Sequence, residues 1–292
     1  MRRGRRPHLA EKHRGKDHAR PGARSSHPET AEAGPRSFLG GGPGTVTLWG
    51  RHPVAAALAN PAREILSLHL SERAESTLQE ILATLPPARR EKLPSPKFLD
   101  GRDLAEKVPP DAVHQGLVVV ARPLAGLAIE TLVECLSDNP TALVVVLDQV
   151  TDPHNVGAVL RSAAAFGAGG LIVQSRHAPP ADGVLAKAAS GALERVPIVE
   201  VTNVARAIDG LKAGGFWCVG LSGDGECPIH EARMDGKTAL VLGAEGPGLR
   251  RLPRERCDVI TRLPTDPDFG TLNISNAAAI ALYEARRSVA GK

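Results

Sequence analysis

The chain has 292 residues, of which 42% are apolar, enough for two ordinary cores, but only 3% are aromatic, so Ala, Val, Leu and Gly must do most of the packing. No apolar run approaches the roughly 20 residues of a membrane helix, which excludes a spanning helix. The net charge is +4, yet residues 1–37 hold ten Lys/Arg against four Asp/Glu; that surplus of six leaves −2 for everything after it, so the basic character belongs to the tail.

Residues 1–44 are rich in Arg, His, Pro, Gly and Ser and close on GGGPG, a composition that cannot offset its ordering entropy and reads as a disordered basic tail. Arg2, Arg3, Arg5 and Arg6 are followed by no apolar stretch of the kind a secretion signal needs. Their charge suits non-specific attraction to RNA phosphate, or is simply solvated.

A first folded unit is expected over 45–122. Val46 to Trp49 reads as a strand, Pro53 to Ala59 as a helix, and Ile65 to Leu70 as a half-buried alternating strand. A helix over 74–85 stops before Pro86-Pro87, and strands follow at 97–99 and 116–120. His114-Gln115-Gly116 is a polar turn before the last of these. Residues 123–140 form a linker with a short helix over 128–137.

The second domain runs over 141–292. Leu143 to Leu147 is an uninterrupted apolar run, as in a strand buried on both faces. A polar turn (148–155) leads to a small-residue helix over 156–166, and a further strand follows Gly167, Gly169 and Gly170. Helices over 186–193, 204–212 and 275–287 then alternate with strands over 197–201, 216–221, 237–242 and 259–263. That order predicts an α/β fold, a parallel sheet with helices on both faces. Cys135, Cys218, Cys227 and Cys257 are scattered without metal-ligand spacing and read as reduced thiols of a cytosolic protein.

Parallel α/β sheets place ligands beyond the carboxyl ends of their strands, and three loops there carry polar residues. The first holds Asn155, where a helix begins, and Arg161 inside that helix. A cation so near a helix N-terminus gains nothing from the dipole and calls for a carboxylate or phosphate partner. The second loop is GAEGPG, residues 243–248, whose glycines allow close backbone approach to a ligand, or merely make turns. It is neither GxGxxG nor a Walker loop, which disfavours a nicotinamide dehydrogenase. Glu245 within it is either solvated or anchors an arginine or a ligand hydroxyl. The third loop, LPTDPDFGTLNISNA (263–277), brings Thr271, Asn273, Ser275 and Asn276 to the start of the last helix, where they also serve as caps. No Ser-His-Asp set, metal site or paired-carboxylate arrangement emerges.

Taken together, DPHNVGAVLRSAAAFG (152–167), LVLGAEGPGLRRLPRERCD (240–258) and LPTDPDFGTLNISNAAAIALYEA (263–285) resemble the three motifs of the SpoU/TrmH family of S-adenosylmethionine-dependent RNA 2′-O-ribose methyltransferases. GRHPVAAAL (50–58), HQG (114–116) and KAASGALERVPIVEV (187–201) extend the likeness over about residues 45–290, nearest to the subgroup that methylates a guanosine of 23S rRNA. The resemblance implies a SPOUT catalytic domain with a deep trefoil knot, although knots are nearly absent from proteins at large. It also implies a small L30e-like RNA-binding domain before it, a homodimer, no metal, and cytoplasmic work on 23S rRNA or a ribosome assembly intermediate. The alternatives are a tRNA enzyme of the same family and a noncatalytic RNA-binding protein.

By position, the resemblance makes Arg161, Asn155, Glu245 and Asn273 catalytic: Arg161 activates the ribose hydroxyl, Asn155 orients it or the ribose, Glu245 holds the arginine or substrate, and Asn273 shapes the site. Gly243, Gly246, Leu263, Thr271 and Leu272 would contact S-adenosyl-L-methionine, and Arg51, His114 and Gln115 would contact RNA. Thr271 departs from the serine of many relatives but keeps the hydroxyl.

Overall fold

A computed structural model of the chain describes residues 44–266, 268 and 272–290. The expected basic tail, up to residue 43, and Thr271 lie outside the described residues.

The N-terminal elements are β1 (Val46–Trp49), α1 (Arg51–Ala59), β2 (Ile65–Leu70), α2 (Glu75–Ala83), α3 (Pro87–Arg90), β3 (Lys97–Phe98), α4 (Gly101–Ala105) and β4 (Leu117–Ala121). They make a small sheet of order β1-β4-β2-β3 in which β4 is antiparallel to both neighbours. The short helices α3 and α4 were not expected from the sequence. Pro87 at its N-terminus starts the first. Asp100 starts the second, its carboxylate accepting from Asp103 N.

The rest comprises α5 (Ile129–Cys135), β5 (Leu143–Asp148), α6 (Pro153–Ala165), β6 (Gly170–Gln174), α7 (Gly183–Ala189), β7 (Ile198–Val201), α8 (Val204–Ala213), β8 (Trp217–Leu221), β9 (Cys227–Pro228), β10 (Thr238–Gly243), α9 (Arg251–Arg256), β11 (Val259–Arg262) and α10 (Ile274–Ala290). Seven strands in the order β7-β6-β5-β10-β8-β11-β9 form a sheet in which every pairing is parallel, as expected.

The apolar run of β5 has a direct structural cause. Leu143, Val145 and Leu147 face a core shared with α6, α7 and α10, while Val144 and Val146 face a second core shared with α5 and α8. Side chains alternate along a strand, so a strand covered on both faces must be apolar throughout. On α8 the buried residues Val204, Ala207, Ile208 and Leu211 recur at helical spacing. The linker helix α5 buries Leu132 in that second core, so the 123–140 segment is partly packed.

Two boundaries differ from expectation for local reasons. Helix α6 begins at Pro153, three residues early, because Asp152 accepts from the backbone N–H groups of His154 (3.1 Å) and Asn155 (3.3 Å) and proline suits the first helical position. The helix expected over 186–193 is instead α7, which ends where Ser190 and Gly191 adopt left-handed backbone, followed by a 3-10 turn, Ala192–Glu194.

The first core cluster runs without a break from the small sheet into α6, α7 and α10. Across that seam Arg63 meets Glu194 at 2.6 Å with both side chains nearly inaccessible, and Asn60 Nδ2 donates to the same carboxylate. A Cβ on Gly183, at the start of α7, would lie 1.8 Å from the Trp49 ring, so glycine is what lets the helix reach the small sheet. No helix among the described residues is long and apolar enough to cross a membrane.

Candidate active site

The sheet changes winding direction between β5 and β10, where parallel α/β folds open a crevice at the carboxyl ends of the strands. A cavity of about 450 Å³ lies beside that point, beyond the carboxyl ends of β8, β10 and β11 and against the start of α10. Apolar side chains of Leu221, Leu242, Leu263, Leu272 and Ile274 wall it, together with the backbone of residues 243–248. Gly243, Gly246, Leu263 and Leu272, expected as cofactor contacts, are all in its lining.

The glycine loop is built by its own backbone. Gly248 N donates to Ala244 O at 3.0 Å, folding the loop into a tight turn. A Cβ on Gly243 would lie 2.0 Å from the Gly248 carbonyl carbon, so position 243 admits no side chain. Gly246, at the tip, has φ +83 and open space around it. One glycine therefore serves chain closure, and another leaves the tip bare.

Three loops meet through Glu245. Its Oε1 accepts from Asn155 Nδ2 (3.2 Å), Asn273 Nδ2 (2.7 Å) and Ile274 N (3.3 Å), and Asn273 Nδ2 also donates to Asn155 Oδ1 (3.0 Å). The carboxylate sits at the N-terminal end of α10, where the helix dipole favours a negative charge. Asn273 also caps that helix, its Oδ1 accepting from Ser275 N (2.8 Å), so its capping role and its site role coexist. Residues separated by as many as 118 positions thus form one polar triangle beside the cavity.

Arg161 does not join it. It is exposed on α6 and makes no hydrogen bond or ion pair among the described residues; of the two partners expected for Glu245, the arginine or the substrate, the arginine is absent and two asparagines donate to the carboxylate. The carboxylate that does hold an arginine nearby is Asp148, which the sequence places in a polar turn. It is instead the fully buried last residue of β5, in bidentate contact with Arg250. That hydrogen-bonded carboxylate holds the Arg250 guanidinium above its ordinary pKa. A charged residue ending an otherwise apolar strand was the available signal for Asp148; nothing in the sequence indicated its partner.

The expected RNA contacts cluster at one corner. Gln115 Oε1 accepts from Arg51 N (3.0 Å) and Lys187 Nζ (3.2 Å), the Arg51 guanidinium pairs with Glu80 on the surface (3.0 Å), and His114 Nδ1 accepts from Gly116 N (3.1 Å). Lys187 also donates to Val113 O, and burial lowers its pKa, so the turn is tied to α7 across the seam.

The cavity fits an adenosine-bearing cofactor: it has apolar walls for a flat ring and a bare glycine tip whose backbone can meet polar edges. Such a fold and site define a parallel α/β protein with a nucleoside-sized crevice beyond the carboxyl ends of β8, β10 and β11. The model of the SpoU rRNA Methylase family matches residues 142–283. A 23S rRNA (guanosine-2′-O-)-methyltransferase RlmB of Pseudomonas putida is 36% identical over 82% of this chain and 95% of its own length, and that of Vibrio cholerae is 38% identical over 82% and 96%. Among solved structures, the SpoU methyltransferase AviRb of Streptomyces viridochromogenes in complex with AdoMet superimposes with a TM-score of 0.70 at 25% identity, over 86% of this chain and 94% of that one. The chain belongs to the SpoU rRNA methylase family.

Proposed function

We propose that this chain is an RNA 2′-O-methyltransferase that uses S-adenosylmethionine to methylate the ribose of a guanosine in 23S rRNA. The observation that carries the site assignment is the Asn155–Glu245–Asn273 triangle beside the Gly243–Gly248 cavity. RlmB relatives named for this reaction support the substrate.

When bound, S-adenosylmethionine supplies a methyl group on a sulfonium, already electrophilic. The chain's own residues bind and align. The loop backbone at Gly243 and Gly246, with Leu263 and Leu272, would hold the cofactor. Asn155, locked by Glu245 and Asn273, keeps a second Nδ2 hydrogen and Oδ1 lone pair for the ribose, while Asn273, whose amide is fully used by Glu245, Asn155 and Ser275, holds Asn155 in place. Arg161 acts by stabilising the developing 2′-alkoxide, the hydroxyl proton passing to solvent water as the methyl group leaves the sulfonium for the 2′-oxygen. Its lack of a carboxylate partner among the described residues leaves that charge available.

Residues 45–122 serve as the RNA-binding domain in this reading, with an L30e-like layout and Arg51, His114 and Gln115 at the contact. Residues 123–140 link it to a trefoil-knotted methyltransferase domain over 141–292. The working form is a cytoplasmic homodimer. Ile280 and Tyr283, one turn apart on α10, are 44% and 56% exposed, and Tyr283 stacks edge-on against Phe166 at the end of α6. An apolar stripe beside the site suits a second copy.

The test is Arg161→Ala. Methyl transfer to a 23S rRNA transcript is expected to be lost while cofactor affinity, read by calorimetry, is largely kept; near-normal turnover would remove Arg161 from catalysis. Mapping 2′-O-methyl sites in cellular RNA with and without the gene decides between ribosomal and transfer RNA.

A further inference from the structure

Asp148, Arg250 and Gln174 form a cluster beside the glycine loop that takes no part in lining the cavity. Asp148 is 0% exposed and stands opposite Gly243 in the β5–β10 register. A buried carboxylate is costly unless its oxygens are fully used. Here Arg250 uses them: its backbone N donates to Oδ2 (3.2 Å), Nε to Oδ1 and Oδ2 (3.0 and 3.1 Å), and Nη2 to Oδ1 (2.5 Å). The same Nη2 donates to Gln174 Oε1 (3.1 Å) at the end of β6, and Gln174 Nε2 donates to Thr202 O. One guanidinium therefore ties the carboxyl ends of β5 and β6 to the limb of the loop that returns from β10.

Position 250 is two residues beyond Gly248, whose backbone closes onto Gly243. The outgoing limb of the loop is held in the sheet at Gly243, and the returning limb is held at Arg250. Between them lies Glu245, which gathers Asn155 and Asn273. Asp148 also begins the connection that leads through Asp152 to α6, so a single pair sets the loop against the helix that carries Asn155 and Arg161. Lysine cannot replace this geometry, since an ammonium lacks the planar fork that reaches both carboxylate oxygens and an amide together.

We infer that Arg250, clamped by Asp148 and braced by Gln174, is a positioning residue that fixes the Gly243–Gly248 loop at the height the cofactor requires. The inference rests on reading the cavity as the cofactor site. It is tested on the full chain with Arg250→Lys and Gln174→Ala. The readouts are S-adenosylmethionine affinity by calorimetry, kcat and cofactor KM on a 23S rRNA transcript, the thermal midpoint, and amide exchange over 244–249.

Arg250→Lys is expected to raise the cofactor Kd and KM about tenfold with kcat within about threefold, and to speed exchange in the loop, because a small misplacement of a binding element costs affinity steeply. Gln174→Ala should move the same quantities in the same direction by less. It leaves the ion pair in place, so it decides the matter if the lysine variant does not fold. Unchanged Kd and KM, whatever happens to the midpoint, would reduce the cluster to a structural ion pair and overturn the inference. Wild-type chain whose cofactor binding is absent, or is insensitive to Gly243→Ala, would instead overturn the cavity assignment on which it stands.

Discussion

Replacing Glu194 by alanine probes how the small sheet is held on the large one. The Glu194 carboxylate accepts from Arg63 Nε (3.1 Å) and Nη2 (2.6 Å) and from Asn60 Nδ2 (2.8 Å). The two side chains of the ion pair are 2% and 4% exposed, so neither solvent nor salt screens it. The substitution leaves a buried guanidinium with the Arg122 carbonyl (2.8 Å from Nη1) as its remaining acceptor among the described residues. Removing one member of a buried pair costs about 3–5 kcal/mol, because the other charge stays desolvated. At about 2–4 °C per kcal/mol for a fold of this size, the expected fall in thermal midpoint is roughly 6–20 °C. The double substitution Arg63→Met/Glu194→Leu removes both charges at similar volume and should recover most of that loss, since a buried pair roughly repays its own desolvation. Scanning calorimetry at neutral pH reads both. A single-variant shift below about 2 °C would show that the pair is not buried in solution. A double variant as unstable as the single one would show that lost packing, not the stranded charge, is responsible.

Gly243→Ala should abolish cofactor binding by calorimetry with the overall fold intact by circular dichroism, because the new Cβ meets Gly248 backbone at 2.0 Å and backbone cannot step aside. His69, buried with Nδ1 unpartnered among the described residues, has its pKa lowered by burial and then by Lys107 and Lys97, so it is neutral in the fold. The unfolded chain takes up that proton near pH 6.5 and the folded chain only at lower pH, so stability is complete above 6.5 and falls below it; His69→Leu should flatten urea midpoints between pH 7 and 5, and an unaltered slope would refute the assignment. Burial pushes the Cys218 and Cys257 thiols up to about 12, so at pH 8 a maleimide should label exposed Cys135 rapidly, half-buried Cys257 far more slowly and buried Cys218 only on unfolding, read by mass spectrometry of the digested chain. Deleting residues 1–40 should leave the thermal midpoint unchanged and weaken RNA binding mainly at low salt; equal affinity across a salt series would make the tail a solvated appendage.

Much of the scaffold was legible because it is written in local patterns. The apolar run 143–147, the helical spacing of Val204, Ala207, Ile208 and Leu211, and the glycines closing turns each depend on neighbours within a few residues. Boundaries slipped where a cap outweighed composition, as at Asp152-Pro153, or where left-handed backbone at Ser190-Gly191 ended an alanine-rich stretch. The site was legible as a set of residues: Asn155, Glu245 and Asn273 were singled out, but which of them touch was not. Arg161 was expected to meet a carboxylate or a phosphate; no carboxylate among the described residues meets it, since Glu245 is taken by two asparagines and the nearby carboxylate–arginine pair is Asp148–Arg250.

The sequence by itself determined the alternation of strands and helices, the sheet's burial on both faces, and the loops where chemistry would gather, since periodicity and turn chemistry act over a few residues. Only the tertiary structure decided the pairings across 90 and 118 residues in the triangle, 102 in the Asp148–Arg250 clamp and 131 at Glu194. Hydrogen bonds and ion pairs select partners by distance in space, and that distance is set by sheet order, which no local pattern records.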